Sequence, residues 1–196
     1  MERSADSVRD VRRRETSRRI TTCARRLAEE HGIDGFTMDD LAAAAEVSRR
    51  TLFNYFPGKD AAVFGEKPAI RDGLLETFRA GGPTGDLVTD IVALVNELLD
   101  THEIDRDEVA LMHRVMHDNP RLIALAKQDF ELRCEEFCEA TEVREGAAYD
   151  DIRARVLVRV VAALFETSLH YYLEHPDEEL ADVFNRAIGA LRSAFE

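Results

Sequence analysis

Apolar residues recur every three or four positions along nearly the whole chain. The first long stretch shows this spacing at Ile20, Cys23, Ala24, Leu27 and Ala28. Such spacing places the apolar side chains on one face of an α-helix. No segment alternates apolar and polar residues over the length that a half-buried strand needs. The pattern therefore predicts an all-α protein of about nine helices.

Glycines, prolines and capping residues set the ends of these helices. Gly32 follows the first helix at the position of a glycine cap. Thr37 and Ser48 precede two short helices, where their hydroxyls can accept hydrogen bonds from the first free amides. Pro68 cannot occupy a helix interior, so the fourth helix is predicted in two pieces. The predicted helices cover residues 10–31, 37–45, 49–55, 59–64 with 69–80, 86–101, 105–117, 120–141, 150–174 and 177–195.

The two short helices offer separate inner and outer faces. The residues suited to a small core are Met38, Leu41, Ala42, Val47, Leu52 and Phe56. The residues expected to point outward are Ser48, Arg49, Arg50, Thr51, Phe53, Asn54 and Tyr55. Arginine can pair bidentately with guanine, and asparagine can do so with adenine. Two short helices of this kind, joined by a tight turn, are typical of a helix-turn-helix unit that reads the major groove.

The charge distribution agrees with a DNA-reading N-terminal end. Residues 1–59 carry 12 Lys and Arg against 10 Asp and Glu, a net +2, whereas residues 60–196 carry 14 against 29, a net −15. A local basic patch can bind phosphates on an acidic protein, because salt screens charges beyond about 10 Å at 0.1 M. Arg12–Arg14 form either a solvated helix start or an arm that contacts phosphates or the minor groove.

The segment from Phe36 to Asp60 resembles the N-terminal signature of the TetR family of transcriptional regulators, and the resemblance covers about residues 16–64. The matching residues are Phe36-Thr37-Met38, Leu41-Ala42, Val47-Ser48, Thr51-Leu52, Tyr55-Phe56 and Lys59-Asp60. The resemblance implies that Thr37 and Lys59 hold the DNA backbone. It implies that Phe53 and Tyr55 lie against the sugar-phosphate. The residues implied to face the bases are Arg49, Arg50, Thr51 and Asn54.

By the same resemblance, residues 1–60 are a helix-turn-helix DNA-binding domain and residues 61–196 are a helical domain for effector binding and dimerisation. The implied function is a ligand-responsive repressor that binds a palindromic operator in double-stranded DNA. Residues 156–169 and 180–195 are the most apolar helical segments, and a helix that is apolar on more than one side is buried on more than one side. In this family, two such helices from each subunit form a four-helix bundle, which implies a homodimer through the last two helices.

The same resemblance implies that the helices between the DNA-binding domain and the dimer interface enclose a small, largely apolar effector. The candidate lining residues are Leu75, Phe78, Leu94, Leu98, Met112, Met116, Phe130, Phe137 and Phe165. Methionine and phenylalanine suit an apolar ligand. The alternative is that these residues form a solid core, in a constitutive DNA-binding or architectural protein with no effector.

An enzyme that carries a helix-turn-helix is the other alternative, with His102, His113 and His117 as its centre. The sequence contains no nucleophile elbow, phosphate loop or dinucleotide motif, so we expect no catalytic residue and no cofactor. Cys134 and Cys138 lie four apart, and two thiols alone do not fill a tetrahedral metal site, so we expect no metal.

A cytoplasmic protein that does not enter the membrane is expected. No apolar run approaches the roughly 20 residues that span a bilayer. The charged start of the chain has no apolar region of the kind that a signal peptide needs.

Overall fold

The computed structural model describes residues 2–66, 73–100, 105–146 and 150–194. These residues form ten α-helices and, within the described ranges, no strand, which confirms the all-α prediction. The helices are α1 (Glu2–His31), α2 (Met38–Ala44), α3 (Arg49–Tyr55), α4 (Lys59–Phe64), α5 (Leu74–Arg79), α6 (Leu87–Asp100), α7 (Arg106–His117), α8 (Pro120–Glu145), α9 (Asp151–Glu174) and α10 (Leu180–Ser193).

Most predicted helix ends agree with the structure to within a few residues, and two extend further. Helix α1 begins at Glu2 rather than near residue 10, and α8 continues past Thr141 to Glu145. Gly32 ends α1 with a φ of +72°, and its amide donates to the Ala28 carbonyl. Gly65 ends α4 with a φ of +78°, a conformation that glycine adopts without steric cost. The predicted break at Pro68 lies outside the described residues.

The chain divides into two compact units. The N-terminal unit comprises Met1–Lys67 and Asp105–Leu125, and the C-terminal unit comprises Pro68–Ile104 and Ala126–Glu196. Helix α7 thus packs with the N-terminal unit, although the sequence division at residue 60 places it in the effector domain. The predicted division at residue 60 separates two functions, and it stays a prediction. In the structure, α7 packs in the same unit as α2 and α3 and supports them.

One apolar core holds the N-terminal unit together. Helix α1 contributes Ile20, Ala24 and Ala28, whose spacing puts them on a single face, and all three are buried. The buried residues from the rest of the unit that complete the core are Ile33, Phe36, Leu41, Ala42, Ala45, Leu52, Phe56, Ala62, Val63, Leu111, Val115 and Leu122. Burying a side chain of leucine size contributes about 1.5–3 kcal/mol, so α7 adds substantially to the stability of a unit in which α2, α3 and α4 are short.

A partly buried polar cluster ties α1 to α4 and α7 within this unit. The Arg25 guanidinium donates to the Val63 carbonyl at 3.0 Å and to the Glu108 carboxylate at 2.8 Å. The Thr22 hydroxyl donates to the other Glu108 oxygen at 2.5 Å. Burial lowers the pKa of Arg25, and Glu108 opposes that effect. Arg25 therefore satisfies a carbonyl at the end of α4 that the helix itself leaves unpaired.

The C-terminal unit has its own apolar core, in which α9 and α10 pack most closely. Phe165 of α9 meets Phe184 of α10 edge to face, with ring centroids 6.3 Å apart. The buried residues of this core are Phe78, Ile91, Leu94, Leu99, Ala140, Val161, Tyr172, Leu180, Phe184 and Ile188. Phe184 is fully buried within one chain, so it stabilises the unit itself rather than a contact between chains.

Helix α9 is the one described helix whose length and composition would allow it to cross a membrane. Charged residues interrupt its sequence at Arg153, Arg155, Arg159 and Glu166, so α9 contains no uninterrupted apolar run of the roughly 20 residues that span a bilayer. One face of the helix, which includes Ala154, Val158 and Tyr172, is buried in the C-terminal unit. Ile152 and Val156 lie on the opposite face and are 67% and 57% exposed. Helix α9 therefore exposes two large apolar side chains on the side that faces away from its own core.

Candidate DNA-binding surface

Thr37 begins α2 with a complete capping box. Its hydroxyl accepts from the Asp40 amide at 3.2 Å and donates to the Asp40 carboxylate at 2.7 Å. The Thr37 amide donates to the same carboxylate at 2.8 Å. These hydrogen bonds from Thr37 lower the pKa of Asp40. The predicted cap is confirmed, and α2 starts at a fixed residue, which fixes where its buried Leu41 and Ala42 meet the core.

The turn between α2 and α3 depends on one left-handed residue. Glu46 has a φ of +52° and is the one described non-glycine residue with a positive φ. The Val47 amide donates to the Ala42 carbonyl at 2.9 Å across the turn. Ser48 then caps α3 by accepting from the Thr51 amide at 3.0 Å. A glutamate carries no sequence signal for a left-handed residue, so only the structure reveals this feature.

Helix α3 separates a buried face from an exposed face in the way the pattern predicts. Leu52 is fully buried, and Phe56 directly after the helix is 3% exposed. Phe53 is 44% exposed. The predicted base-facing and backbone-facing residues that are exposed are Ser48, Arg49, Arg50, Phe53 and Asn54, and those that are half-buried are Thr51 and Tyr55.

Arg49 is held by neighbours on the surface. Its guanidinium donates to Asp39 of α2 at 2.6 Å. The same group lies 5.5 Å from the centroid of the Phe53 ring. The pair is solvent-exposed, so it contributes little to stability. Asp39 instead competes with any acceptor that Arg49 would meet on DNA.

Lys59 contacts the protein rather than projecting freely. Its ammonium donates to the Phe36 carbonyl at 2.9 Å and lies 5.2 Å from the centroid of the Phe36 ring. An ammonium has three donors, so two remain for other acceptors. The structure fixes the start of α4 against the loop before α2, and the DNA-backbone contact of Lys59 stays a prediction.

Tyr55 connects α3 to the first helix. Its ring packs against the N-terminal core and lies near Phe56. The guanidinium of Arg13 lies 5.6 Å from the centroid of the Tyr55 ring. The sequence offered no partner for this arginine, because the two residues are far apart along the chain.

The structure separates the nine predicted effector-lining residues into three groups. Met112 and Met116 pack against the core of the N-terminal unit. Phe130 is 42% exposed, with the Arg159 guanidinium 5.9 Å from its ring centroid. The six that belong to the apolar cluster of the C-terminal unit, or pack against it, are Leu75, Phe78, Leu94, Leu98, Phe137 and Phe165.

The histidines and cysteines are placed as follows. His113 and His117 are exposed, and the His117 ring lies 3.0 Å from the Asp118 carboxylate. His102 lies outside the described residues. Within the described ranges, no three potential metal ligands come together.

Cys134 and Cys138 are buried against Ala154 and Val158, and burial raises the pKa of both thiols.

Together, the capped short helices, the tight turn and the exposed polar face of α3 define a helix-turn-helix unit. Residues 20–63 match the family model of bacterial regulatory proteins, tetR family. The chain is also 40% identical over 55 residues to the "Putative mycofactocin biosynthesis transcriptional regulator MftR" of Mycobacterium tuberculosis (strain ATCC 25618 / H37Rv), a match that spans 28% of this chain and 28% of that relative. Residues 20–63 are therefore similar to the N-terminal region of TetR-family regulators, and the resemblance drawn from the sequence is confirmed over that segment.

Proposed function

We propose that this protein is a sequence-specific DNA-binding transcriptional regulator, and that it acts as a ligand-responsive repressor on a palindromic operator. The observation that carries the proposal is the exposed face of α3. Arg50 and Asn54 lie four residues apart, so they are neighbours on one helix face, and both are exposed. Arginine and asparagine are suited to guanine and adenine, respectively.

The residues around these two supply contacts to the DNA backbone. Ser48 and Thr51 share a hydrogen bond of 2.7 Å and lie at the N-terminus of α3, where helix amides favour phosphate. Phe53 and Tyr55 offer aromatic surfaces to deoxyribose. Contacts to phosphate position a reader, while contacts to base edges specify the sequence. The proposed surface contains both kinds.

We infer a homodimer that forms through α9 and α10. The face of α9 opposite its buried residues carries Ile152, Val156 and Ala163 together with Arg159 and Glu166, all of them exposed. Isolated exposed apolar residues are ordinary, but a row along one helix face is typical of a contact with another protein. A two-fold symmetric dimer would present two α3 helices to a palindromic operator, one helical turn of DNA apart.

We propose that a small, largely apolar effector binds in the C-terminal unit. Six of the predicted residues share the cluster that includes the buried Phe78 and Leu94. Leu75, Leu98 and Phe165 are only half-buried there, so apolar surface remains for a ligand. The proposed site is limited to these six residues, since Met112 and Met116 pack against the N-terminal core and Phe130 is exposed.

We propose no catalytic activity and a cytoplasmic location. A bacterial regulator of transcription acts in the cytoplasm, where the DNA is. The exposed apolar residues of α9 would be buried against a second copy of the chain rather than in a membrane.

Selection of bound duplexes from a random DNA pool tests the DNA-binding proposal. We expect the wild-type protein to enrich a palindromic sequence. Asn54→Ala should bind that sequence more weakly and relax the preference at one base pair of each half-site, since a good bidentate contact contributes about 1–3 kcal/mol of discrimination. Gln128→Ala is the matched control, because Gln128 carries the same amide group and is exposed on α8, outside α3, α9 and α10. Failure to enrich any sequence would contradict the proposal.

The effector proposal needs a separate experiment. A panel of small apolar compounds is screened by thermal unfolding, and each compound that raises the midpoint is then tested in operator titrations. We expect at least one to lower operator affinity by roughly 5- to 150-fold, the usual range of coupling between two sites. Leu94→Phe should reduce its binding by filling the cluster. If every compound that binds leaves operator affinity unchanged, the protein is a constitutive DNA binder.

A further inference from the structure

Arg13 lies on the same face of α1 as the buried core residues. Ser17, Ile20 and Ala24 follow it at spacings of four, three and four residues, and all three are buried. This spacing keeps the four residues on one helix face. Arg13 itself is exposed. Helix α1 therefore extends beyond the apolar core, and the face that packs on the core continues as an exposed, charged face.

Tyr55 lies where this charged face begins. The Arg13 guanidinium is 5.6 Å from the centroid of the Tyr55 ring, and Tyr55 is half-buried against the N-terminal core. A guanidinium over an aromatic face keeps its N–H groups directed outward in the plane, where they can bind phosphate bidentately. The contact also brings Arg13 to the C-terminal end of α3, beside the proposed DNA surface.

Arg9 extends this positive surface by one further turn. It lies four residues before Arg13, hence on the same side of α1, and it is exposed. Arg12 is also exposed, but it is turned by about 100° from Arg13 around the helix axis, away from the face that packs on the core. The N-terminal part of α1 thus carries arginines of equal charge on two different faces.

We propose that Arg13, held on the Tyr55 ring, and Arg9 bind phosphates of the DNA backbone and continue the surface of α3 onto α1. The proposal rests on the DNA-binding function proposed above, and it adds a contact outside the helix-turn-helix. The sequence left two interpretations of the arginine tract, a solvated helix start or an arm that contacts DNA. The proposal assigns the face with Arg13 to DNA contact and the face with Arg12 to solvent. Because phosphates are the same at every base pair, these two arginines add affinity without adding sequence preference.

The test compares Arg13→Ala with Arg12→Ala, which remove the same charge from neighbouring positions. Both proteins are titrated with the selected operator and with a scrambled duplex at several salt concentrations. We expect Arg13→Ala to weaken binding to both duplexes by roughly five- to tenfold at 0.1 M salt, and to reduce the salt slope by about 0.9, the contribution of one phosphate contact. Arg12→Ala should change the affinity by less than about twofold, because its face is not in contact.

Two further variants separate a phosphate contact from other roles. Arg13→Lys keeps the charge but cannot bind phosphate bidentately, so we expect it to restore most of the salt slope and only part of the affinity. Arg9→Ala should add its own loss to that of Arg13→Ala. Unfolding midpoints of all the variants should match the wild type, because the substituted side chains are exposed.

The possible results lead to distinct conclusions. Equal effects of Arg12→Ala and Arg13→Ala at every salt concentration would overturn the proposed contact while leaving the DNA-binding function intact. A loss confined to the operator would mean that Arg13 reads bases in the minor groove, which overturns the phosphate assignment. A wild-type protein that binds neither duplex would overturn the proposed function, and the contact with it.

Discussion

The guanidinium of Arg144 and the carboxylate of Asp90 form an ion pair of 2.7 Å, and their side chains are only 2% and 0% exposed. Each group is also bound to the loop between α5 and α6. Arg144 donates to the carbonyls of Phe78 and Gly82 at 3.1 and 3.0 Å. Asp90 accepts from the Thr84 hydroxyl at 2.6 Å. The pair therefore holds this loop against the end of α8 within the C-terminal unit.

Replacing Asp90 with asparagine should strongly destabilise the C-terminal unit. The change leaves the buried Arg144 charge with only the partly exposed Glu145 carboxylate, 3.1 Å from its Nε, and breaking a buried pair costs about 3–5 kcal/mol. Asp151→Asn is the matched control, because Asp151 pairs with Arg155 at 2.6 Å in an exposed position, where such pairs contribute about 0–1 kcal/mol. Urea unfolding of the two variants measures the difference. A similar small effect of both substitutions would mean that the buried pair is not stabilising.

The contribution of Asp90 should also depend on pH. Burial raises its pKa, but hydrogen bonds from Thr84, Arg144 and Gly85 outweigh burial and lower the pKa from 3.8 to about 2. The folded protein thus keeps Asp90 ionised after the unfolded chain has begun to bind a proton. The stabilisation is complete above about pH 4 and is lost as the pH falls toward 2. We expect the difference in unfolding free energy between wild type and Asp90→Asn to shrink over that interval, whereas a constant difference would rule out this linkage.

Removing Asp39 should strengthen DNA binding. Asp39 pairs with Arg49 and places a negative charge next to the proposed DNA surface. Asp39→Asn frees the guanidinium and reduces repulsion of phosphate, so we expect the affinity for the selected operator to rise several-fold at low salt and less at high salt. Asp34→Asn removes an exposed charge from the loop before α2 and is the control. An unchanged or weaker affinity of Asp39→Asn would show that the ion pair positions Arg49 for binding.

A charge on the outer face of α9 should dissociate the dimer without unfolding the chain. Val156 is 57% exposed, so Val156→Asp is tolerated in a single chain but becomes a buried charge in an interface, at a cost of several kcal/mol. Val143→Asp is the control, because Val143 is 65% exposed and lies on α8. Light scattering at micromolar concentration should give a dimer for wild type and control and a monomer for Val156→Asp. A wild-type monomer would contradict the proposed dimer.

Gly35 should be intolerant of any side chain. A Cβ at this position would lie 2.0 Å from the His31 carbonyl oxygen, so the backbone between α1 and α2 would have to move. We expect Gly35→Ala to cost about 1–3 kcal/mol, the usual effect of overpacking. At Gly58 a Cβ would meet nothing within 4 Å, and Gly58→Ala should cost less than about 1 kcal/mol. Thermal unfolding compares the two, and equal effects would indicate that the loop adjusts freely.

The sequence was sufficient for the helices and for the helix-turn-helix, because the signals for both are local. A capping hydroxyl such as that of Thr37 acts on an amide three residues away, and the apolar spacing of Ile20 and Ala24 is read within one helix. The division of α3 into a buried Leu52 and an exposed Asn54 follows from the same periodicity. These features do not depend on where the other helices lie.

The tertiary structure decided the contacts that join distant segments. Arg144 and Asp90 are 54 residues apart in the chain, and Arg25 and Glu108 are 83 apart. Many arginines and acids in this chain have the same local surroundings in sequence, and only packing determines which of them meet. Packing likewise placed Met112 in the core of the N-terminal unit and Arg13 over Tyr55, because periodicity defines the face of a helix but not the neighbour that covers it.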